Sequence, residues 1–139
     1  MAGNRTLTII KPDAFAAGKA GKILAHLETR GFSLVASRVL HLTTVQAEAF
    51  YAVHRDRPFF RSLVTFMTSG RCMPMVLARA DAVAELRVAI GSTDPVEAAP
   101  GTVRKLYAES KERNAIHASD SDENAVRETR FFFAEADVI

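Results

Sequence analysis

At 139 residues, with 48% hydrophobic and 24% charged side chains, the chain has the length and composition of one folded soluble domain spanning residues 1–139. Its formal charge of +2 suits polyanionic small molecules, but basic residues and aromatics form no interleaved stripe, so no specific nucleic-acid partner is expected. The single cysteine, Cys72, rules out an intrachain disulfide and reads as a small core residue; the histidines (His26, His41, His54 and His117) have no metal-ligand spacing, so no protein-ligated metal is expected.

The apolar run before Lys11 is too short for a signal peptide, and no later run reaches membrane-spanning length. A cytoplasmic protein with no membrane partner is expected. Thr6 to Lys11 reads as a buried strand closed by a turn at Pro12-Asp13, which delivers Lys11 to the strand end, where α/β layers gather ligands.

Gly18-Lys19-Ala20-Gly21-Lys22-Ile23 invites a phosphate-loop reading, but Ala16 and Ile23 break that motif. The segment reads instead as a helix start, with Ile23, Leu24 and Leu27 on one face and Gly31 as a left-handed cap. Phe32 to Leu42 alternates as a second strand, with Phe32, Leu34 and Ala36 on one side and Ser33, Val35 and Ser37 on the other.

Thr43 or Thr44 can cap a helix whose apolar stripe is Val45, Ala49, Phe50 and Val53, leaving Tyr51 off its centre. Pro58 suits the first turn of the next helix, where Leu63, Val64, Phe66 and Met67 point inward. After a turn at Ser69-Gly70, the apolar run Cys72 to Ala78 predicts a third strand, and its Pro74 predicts an edge or a bulge. Asp81 opens a short helix with Ala82, Val83, Leu86 and Ile90 inward, Arg87 beside that face and Gly91 at its end.

Residues 91 to 113 are the least regular, and a loop that long in a compact domain is usually functional. It carries Thr93, Arg104 and Lys105. A last strand, about Ala115 to Ser119, leads into a helix from about Asp122 to Phe131, with Asp120 and Glu123 at capping-box spacing.

The order of elements predicts an α/β sandwich of the ferredoxin-like βαββαβ type, a four-stranded, mainly antiparallel sheet covered by helices. His117 falls at its final strand-to-helix junction. An isolated histidine is usually a surface or core residue, but here Ala118 leaves room beside the ring, Ser119 offers a hydroxyl to orient it, and Glu128 can reach back to a ring nitrogen. A carboxylate that fixes the tautomer prepares a histidine as base or nucleophile.

Asn114-Ala115-Ile116-His117-Ala118-Ser119-Asp120 resembles the active-site signature of the nucleoside diphosphate kinases, Asn-x-x-His-(Gly or Ala)-Ser-Asp. Ile10-Lys11-Pro12-Asp13 and Arg57-Pro58-Phe59-Phe60 resemble two further elements of that family, and the likeness runs from about Arg5 to Phe133. The resemblance implies the same fold and a ping-pong transfer of the γ-phosphate of a nucleoside triphosphate, typically ATP, to a nucleoside diphosphate through phosphorylated His117. It implies Lys11, Tyr51 and Arg104 around the γ-phosphate, and Arg87 and Thr93 on the neighbouring phosphates. Asn114 would bond the sugar, Phe59 would stack on the base, and Ser119 with Glu128 would orient His117. Magnesium ion would arrive on the nucleotide phosphates.

The chain departs from the family pattern at Lys105-Leu106, where Gly or Ala and then Asp are usual, and at Arg71-Cys72. Neither departure removes a matched catalytic group. The segment after the last helix is shorter than in many family hexamers, which leaves the assembly open; a homo-oligomer built from dimers, either tetramer or hexamer, is expected. Two other readings stay open: a phosphohistidine carrier or a nucleotide-binding relative without transfer activity, and a nucleic-acid-binding or scaffold domain.

Overall fold

A computed structural model describes residues 3–139. Strand β1 (Arg5–Ile10) is buried at every position after Arg5, because it runs through the sheet interior. The sheet order is β2-β3-β1-β4, with β2 at Ser33–Ser37, β3 at Met73–Ala78 and β4 at Ile116–Ala118, and every neighbouring pair is antiparallel. This is the ferredoxin-like arrangement that the element order predicts.

Alternation along β1 divides the core in two. Leu7 and Ile9 pack with Phe50, Val64, Met67 and Phe132, whereas Ile10 packs on the opposite face with Ile23, Leu27, Leu86 and Ile116. Pairing of Ile9 with His117 and of Ile10 with Ile116 carries the same alternation into β4. The histidine therefore shares a face with Leu7 and Ile9.

The helices are α1 (Pro12–Ala16), α2 (Ala20–Thr29), α3 (Thr44–Phe50), α4 (Phe60–Met67), α5 (Ala82–Ile90), α6 (Val103–Tyr107) and α7 (Asp122–Phe132). Two were not expected. Pro12-Asp13 opens the five-residue α1, since proline's missing donor costs nothing at a first helical position. Helix α6 lies inside the irregular stretch, where Thr102 Oγ1 accepts from the Lys105 amide at 3.3 Å.

Four further expectations are corrected. The second strand ends at Ser37, and a register shift between Leu34 and Ala36 breaks its alternation; Leu34 is exposed on this edge strand while Val35 and Ala36 pack inward. Helix α3 buries Ala47 and Phe50, with Tyr51 just beyond it, and leaves Val45 in solvent; Val53 falls in a separate 3-10 turn past its end and is also exposed. A capping box from Thr43 to Gln46 sets that rotation.

Strand β3 is interior, not an edge. Pro74 is tolerated because its carbonyl accepts from Arg38, so its nitrogen faces the side where β2 has already ended, and no bond to β1 is lost. Finally, α7 is capped by Ser121, whose Oγ accepts from the Asn124 amide at 3.1 Å, while Asp120 accepts from the Asn124 side chain.

Lys105 and Cys72, at the two departures from the family pattern, each have a definite place in the structure. Lys105 Nζ donates to the carbonyls of Pro95 and Val96 at 3.4 and 3.3 Å, tying down the loop between α5 and α6. Cys72 is fully buried and exchanges main-chain hydrogen bonds with Leu40; burial pushes its thiol pKa up to about 11.

Gly91 fixes the exit from α5 at φ 87°, and a Cβ there would lie 2.6 Å from Thr102 Oγ1. Its carbonyl also accepts from Arg104 Nη1 at 3.0 Å. Gly91→Ala combines left-handed strain with a clash and is expected to lower stability by about 2 kcal/mol or more, measured by urea unfolding.

Candidate active site

Short β4 holds His117 by its backbone: Thr8 Oγ1 donates to the His117 carbonyl at 2.6 Å. The ring is held separately. Its Nε2 lies 2.7 Å from Glu128 Oε1, and Ser119 Oγ donates to the same Oε1 at 2.8 Å. Ser119 does not bond the ring directly, as the sequence suggested; it acts on the carboxylate behind it, and its Oγ also lies 3.2 Å from the Leu7 carbonyl.

Burial opposes ionisation of Glu128, but the hydrogen bond and charge of His117, the Ser119 hydroxyl and the Arg127 charge outweigh it, and its pKa falls below the ordinary value. An ionised carboxylate only accepts. Nε2 therefore carries the proton, and in neutral imidazole the lone pair is left on Nδ1, which forms no hydrogen bond among the described residues. Phe50 and Tyr51 meet the ring edge-on, at centroid distances of 5.4 and 6.1 Å.

Immediately before β4 the backbone makes an unusual turn. Ala115 has φ 74°, and the Ile116 amide donates to the Asn114 carbonyl at 2.9 Å, the bonding of a γ-turn. Buried partners hold it there. The Ala115 amide donates to Asp13 Oδ2 at 3.0 Å, and its carbonyl accepts from the Lys11 amide at 2.9 Å. Helix α1 thus supplies a brace that its reading as a plain turn concealed.

The turn leaves Asn114 Oδ1 accepting from Lys11 Nζ at 2.8 Å, while Asn114 Nδ2 donates to the Thr93 carbonyl at 3.2 Å. Burial, and then the charge of Arg104, lower the Lys11 pKa to about 8. Arg104 donates from Nη1 to Gly91 and from Nη2 to Ile116 at 3.0 and 2.8 Å, yet its buried Nε has no partner. Burial and neighbouring Arg87 lower its pKa to about 10, so the guanidinium stays charged near neutral pH. Arg87 Nη1 lies 3.4 Å from the Ala118 carbonyl. Tyr51 presents a buried, unpartnered hydroxyl whose pKa burial drives upward, making it a neutral donor.

These groups line one cleft of about 450 Å³. It contains every site residue expected from the sequence except Ser119, which stands behind Glu128. An adjoining hollow shares Lys11, Phe59, Thr93 and Asn114 and is closed by Lys111 and Glu112. Phe59 keeps 48% of its surface exposed, and its ring lies 5.4 Å from that of His54, whereas Phe60 is buried. A separate cavity of about 320 Å³, lined by Arg5, Thr129 and Phe133, gathers no comparable cluster.

The sequence reading missed His54, Lys111, Glu112, Asn124 and Arg127 as lining residues. Arg127 had one signal, its place beside Glu128, but which helix face it occupies depends on how α7 packs.

The nucleoside diphosphate kinase family profile matches residues 4–138. A nucleoside diphosphate kinase of Chlorobium chlorochromatii is 55% identical over 135 residues, 97% of this chain and 96% of that one. The solved enzyme of Aquifex aeolicus superposes with a TM-score of 0.95 at 44% identity, covering 98% of this chain and 99% of its own. That of Halobacterium salinarum, solved in complex with CDP, gives 0.92 at 37% identity, covering 99% and 92%. With its fold, its His117 signature and nearly its whole length in agreement, the chain belongs to the nucleoside diphosphate kinase family and is a phosphotransferase.

Proposed function

We propose that His117 Nδ1 carries the phosphoryl group from a nucleoside triphosphate, typically ATP, to a nucleoside diphosphate. The observation that carries this reading is the Nε2 to Glu128 hydrogen bond at 2.7 Å, which turns the Nδ1 lone pair toward a cleft lined by Lys11, Arg87 and Arg104. Nδ1 attacks the γ-phosphorus, the N–P bond forms, and the bond to the β-phosphate oxygen breaks as the diphosphate leaves. The Nε2 proton stays on the ring, held by Glu128. A second nucleoside diphosphate then reverses each step and takes the phosphoryl group away.

Phosphoryl transfer asks for positioning and for charge around the transferring oxygens. Lys11, Arg104 and the Tyr51 hydroxyl suit the γ-phosphate, with Arg87 and Thr93 toward the other phosphates. The free Nε of Arg104 and the free hydroxyl of Tyr51 are buried donors without acceptors, which phosphate oxygens would supply. Asn114 suits the sugar. Phe59 offers a stacking face that any base can use, so broad base tolerance is expected.

Magnesium fits as an ion carried by the nucleotide. Among the described residues no three His, Cys, Asp or Glu side chains gather as a metal site, so phosphate oxygens and water would supply its ligands. The ion would neutralise phosphate charge.

Among the described residues no helix is long and apolar enough to cross a membrane. A cytoplasmic location beside the nucleotide pools accords with the reading, as does a single domain. The edge strand β2, with Leu34 exposed on it and Val39 exposed just past its end, accords with a homo-oligomer, tetramer or hexamer. Sedimentation is expected to show one of these, and a monomer alone overturns that part of the reading.

Mixing the protein with Mg²⁺ and γ-labelled ATP, without acceptor, is expected to give acid-labile, base-stable label that GDP discharges. His117→Gln is expected to abolish it. Label that survives the substitution, or none on a folded wild-type protein that binds nucleotide, overturns the mechanism.

Lys11 adds a pH dependence. Its ammonium, with a pKa of about 8 in the free protein, is lost as pH rises through that value, and the phosphate-binding charge goes with it. Calorimetric affinity for a nucleoside diphosphate is expected to fall roughly tenfold between pH 7 and pH 9. Lys11→Gln binds more weakly and removes the slope.

A further inference from the structure

We propose that Arg127 is a positioning residue for His117, holding Glu128 and Phe50 in place on two sides of the ring. The proposal rests on the reading of His117 as the nucleophile.

Arg127 precedes Glu128 on α7, so its side chain leaves the helix at about 100° to the buried carboxylate and runs along the cleft rim, half exposed. From there its Nη2 donates to the main-chain carbonyl of Phe50 at 3.2 Å. That carbonyl ends α3 and belongs to the last turn, where helix acceptors lack partners. The same Nη2 stands 3.9 Å from Glu128 Oε2, the oxygen that neither His117 nor Ser119 uses.

The guanidinium also lies over the Phe50 ring, 5.7 Å from its centroid, and that ring meets His117 edge-on at 5.4 Å. One planar group thus joins the end of α3 to α7. It touches both residues that set the imidazole's plane: Glu128, which fixes Nε2, and Phe50, which limits rotation.

A half-exposed ion pair at this distance contributes little by itself. What matters is that three contacts converge on one guanidinium, and a lysine ammonium cannot span them. Other charged or titratable groups lining the cleft with His117 are Glu128 on α7, Arg87 on α5, Arg104 on α6, Lys11 after β1, Tyr51 and His54 after α3 and Asp120 before α7. Of the cations, only Arg127 bonds the end of α3 and also approaches the carboxylate that holds the ring.

The test is rapid-quench phosphorylation by ATP of wild type, Arg127→Ala and Arg127→Lys across about pH 5 to 8. Arg127→Ala is expected to slow phosphorylation at saturating ATP by about 3- to 10-fold with KM nearly unchanged. Its acid limb should move to higher pH, because loss of the Arg127 charge removes one of the influences that keep Glu128 ionised and able to hold the ring. Arg127→Lys should restore the limb but not the full rate. If alanine unfolds the chain, Arg127→Met, which keeps the apolar stem, carries the same expectation.

An alanine variant with wild-type rate and pH limb overturns the proposal. So does a raised KM with unchanged kcat, which would make Arg127 a direct phosphate contact. A wild-type protein that takes no label instead defeats the underlying reading, so the two failures are distinguishable.

Discussion

The hydrogen bond between His117 Nε2 and Glu128 is the constraint on which the rest of the site depends. A histidine can bear its neutral-form proton on either nitrogen, and only one choice directs a lone pair into the cleft. The choice is made by a carboxylate kept ionised against its own burial by the histidine, Ser119 and Arg127. The sheet supports it from the other side, since β4 is pinned to β1 by the Thr8 hydroxyl and by main-chain pairing. Moving either β4 or α7 would release the ring.

Around that bond the protein assembles cations that repel one another. Lys11 and Arg104 are buried together, and both pKa values are lowered, so the site holds charge at a cost. Main-chain carbonyls offset part of that cost: Gly91 and Ile116 for Arg104, with the Asn114 side chain accepting from Lys11. Remaining donors on Arg104 and Tyr51 lack acceptors. A polyanionic nucleotide is the kind of ligand that relieves both the repulsion and the missing bonds, which is how a site can be preorganised without being at rest.

Backbone strain serves the same end. Ala115 adopts a conformation that few residues other than glycine tolerate, one that costs of the order of 1–3 kcal/mol. It persists because Asp13 and Lys11 bond its amide and carbonyl on both sides. The result is a chain reversal tight enough to place Asn114 beside Lys11 and His117 across from Ile9 within four residues. Helix α1, β1 and β4 are coupled through that one residue.

Much of this was legible from residue patterns, because it rests on local chemistry. The run Thr6 to Lys11 is apolar enough to demand burial, Gly31 and Gly91 stop helices where only glycine is comfortable, and Asn114 to Asp120 places a histidine and its helix at fixed spacing. Element order then limits the sheet to few topologies. What the pattern could not supply were features set by packing across the chain. Val45 is as apolar as Phe50, and only the capping of α3 and its seat on the core put it in solvent, while Val53 is exposed because α3 has ended before it. Pro74 argues for an edge unless one sees that β2 stops short beside it. The route from Ser119 to the ring through Glu128 depends on how α7 packs against the end of β4, and the brace of Asp13 on Ala115 and the reach of Arg127 to Phe50 join residues far apart in sequence, 102 residues for the brace and 77 for the arginine. Periodicity reports one element's own face, whereas these contacts exist only once separate elements are packed together.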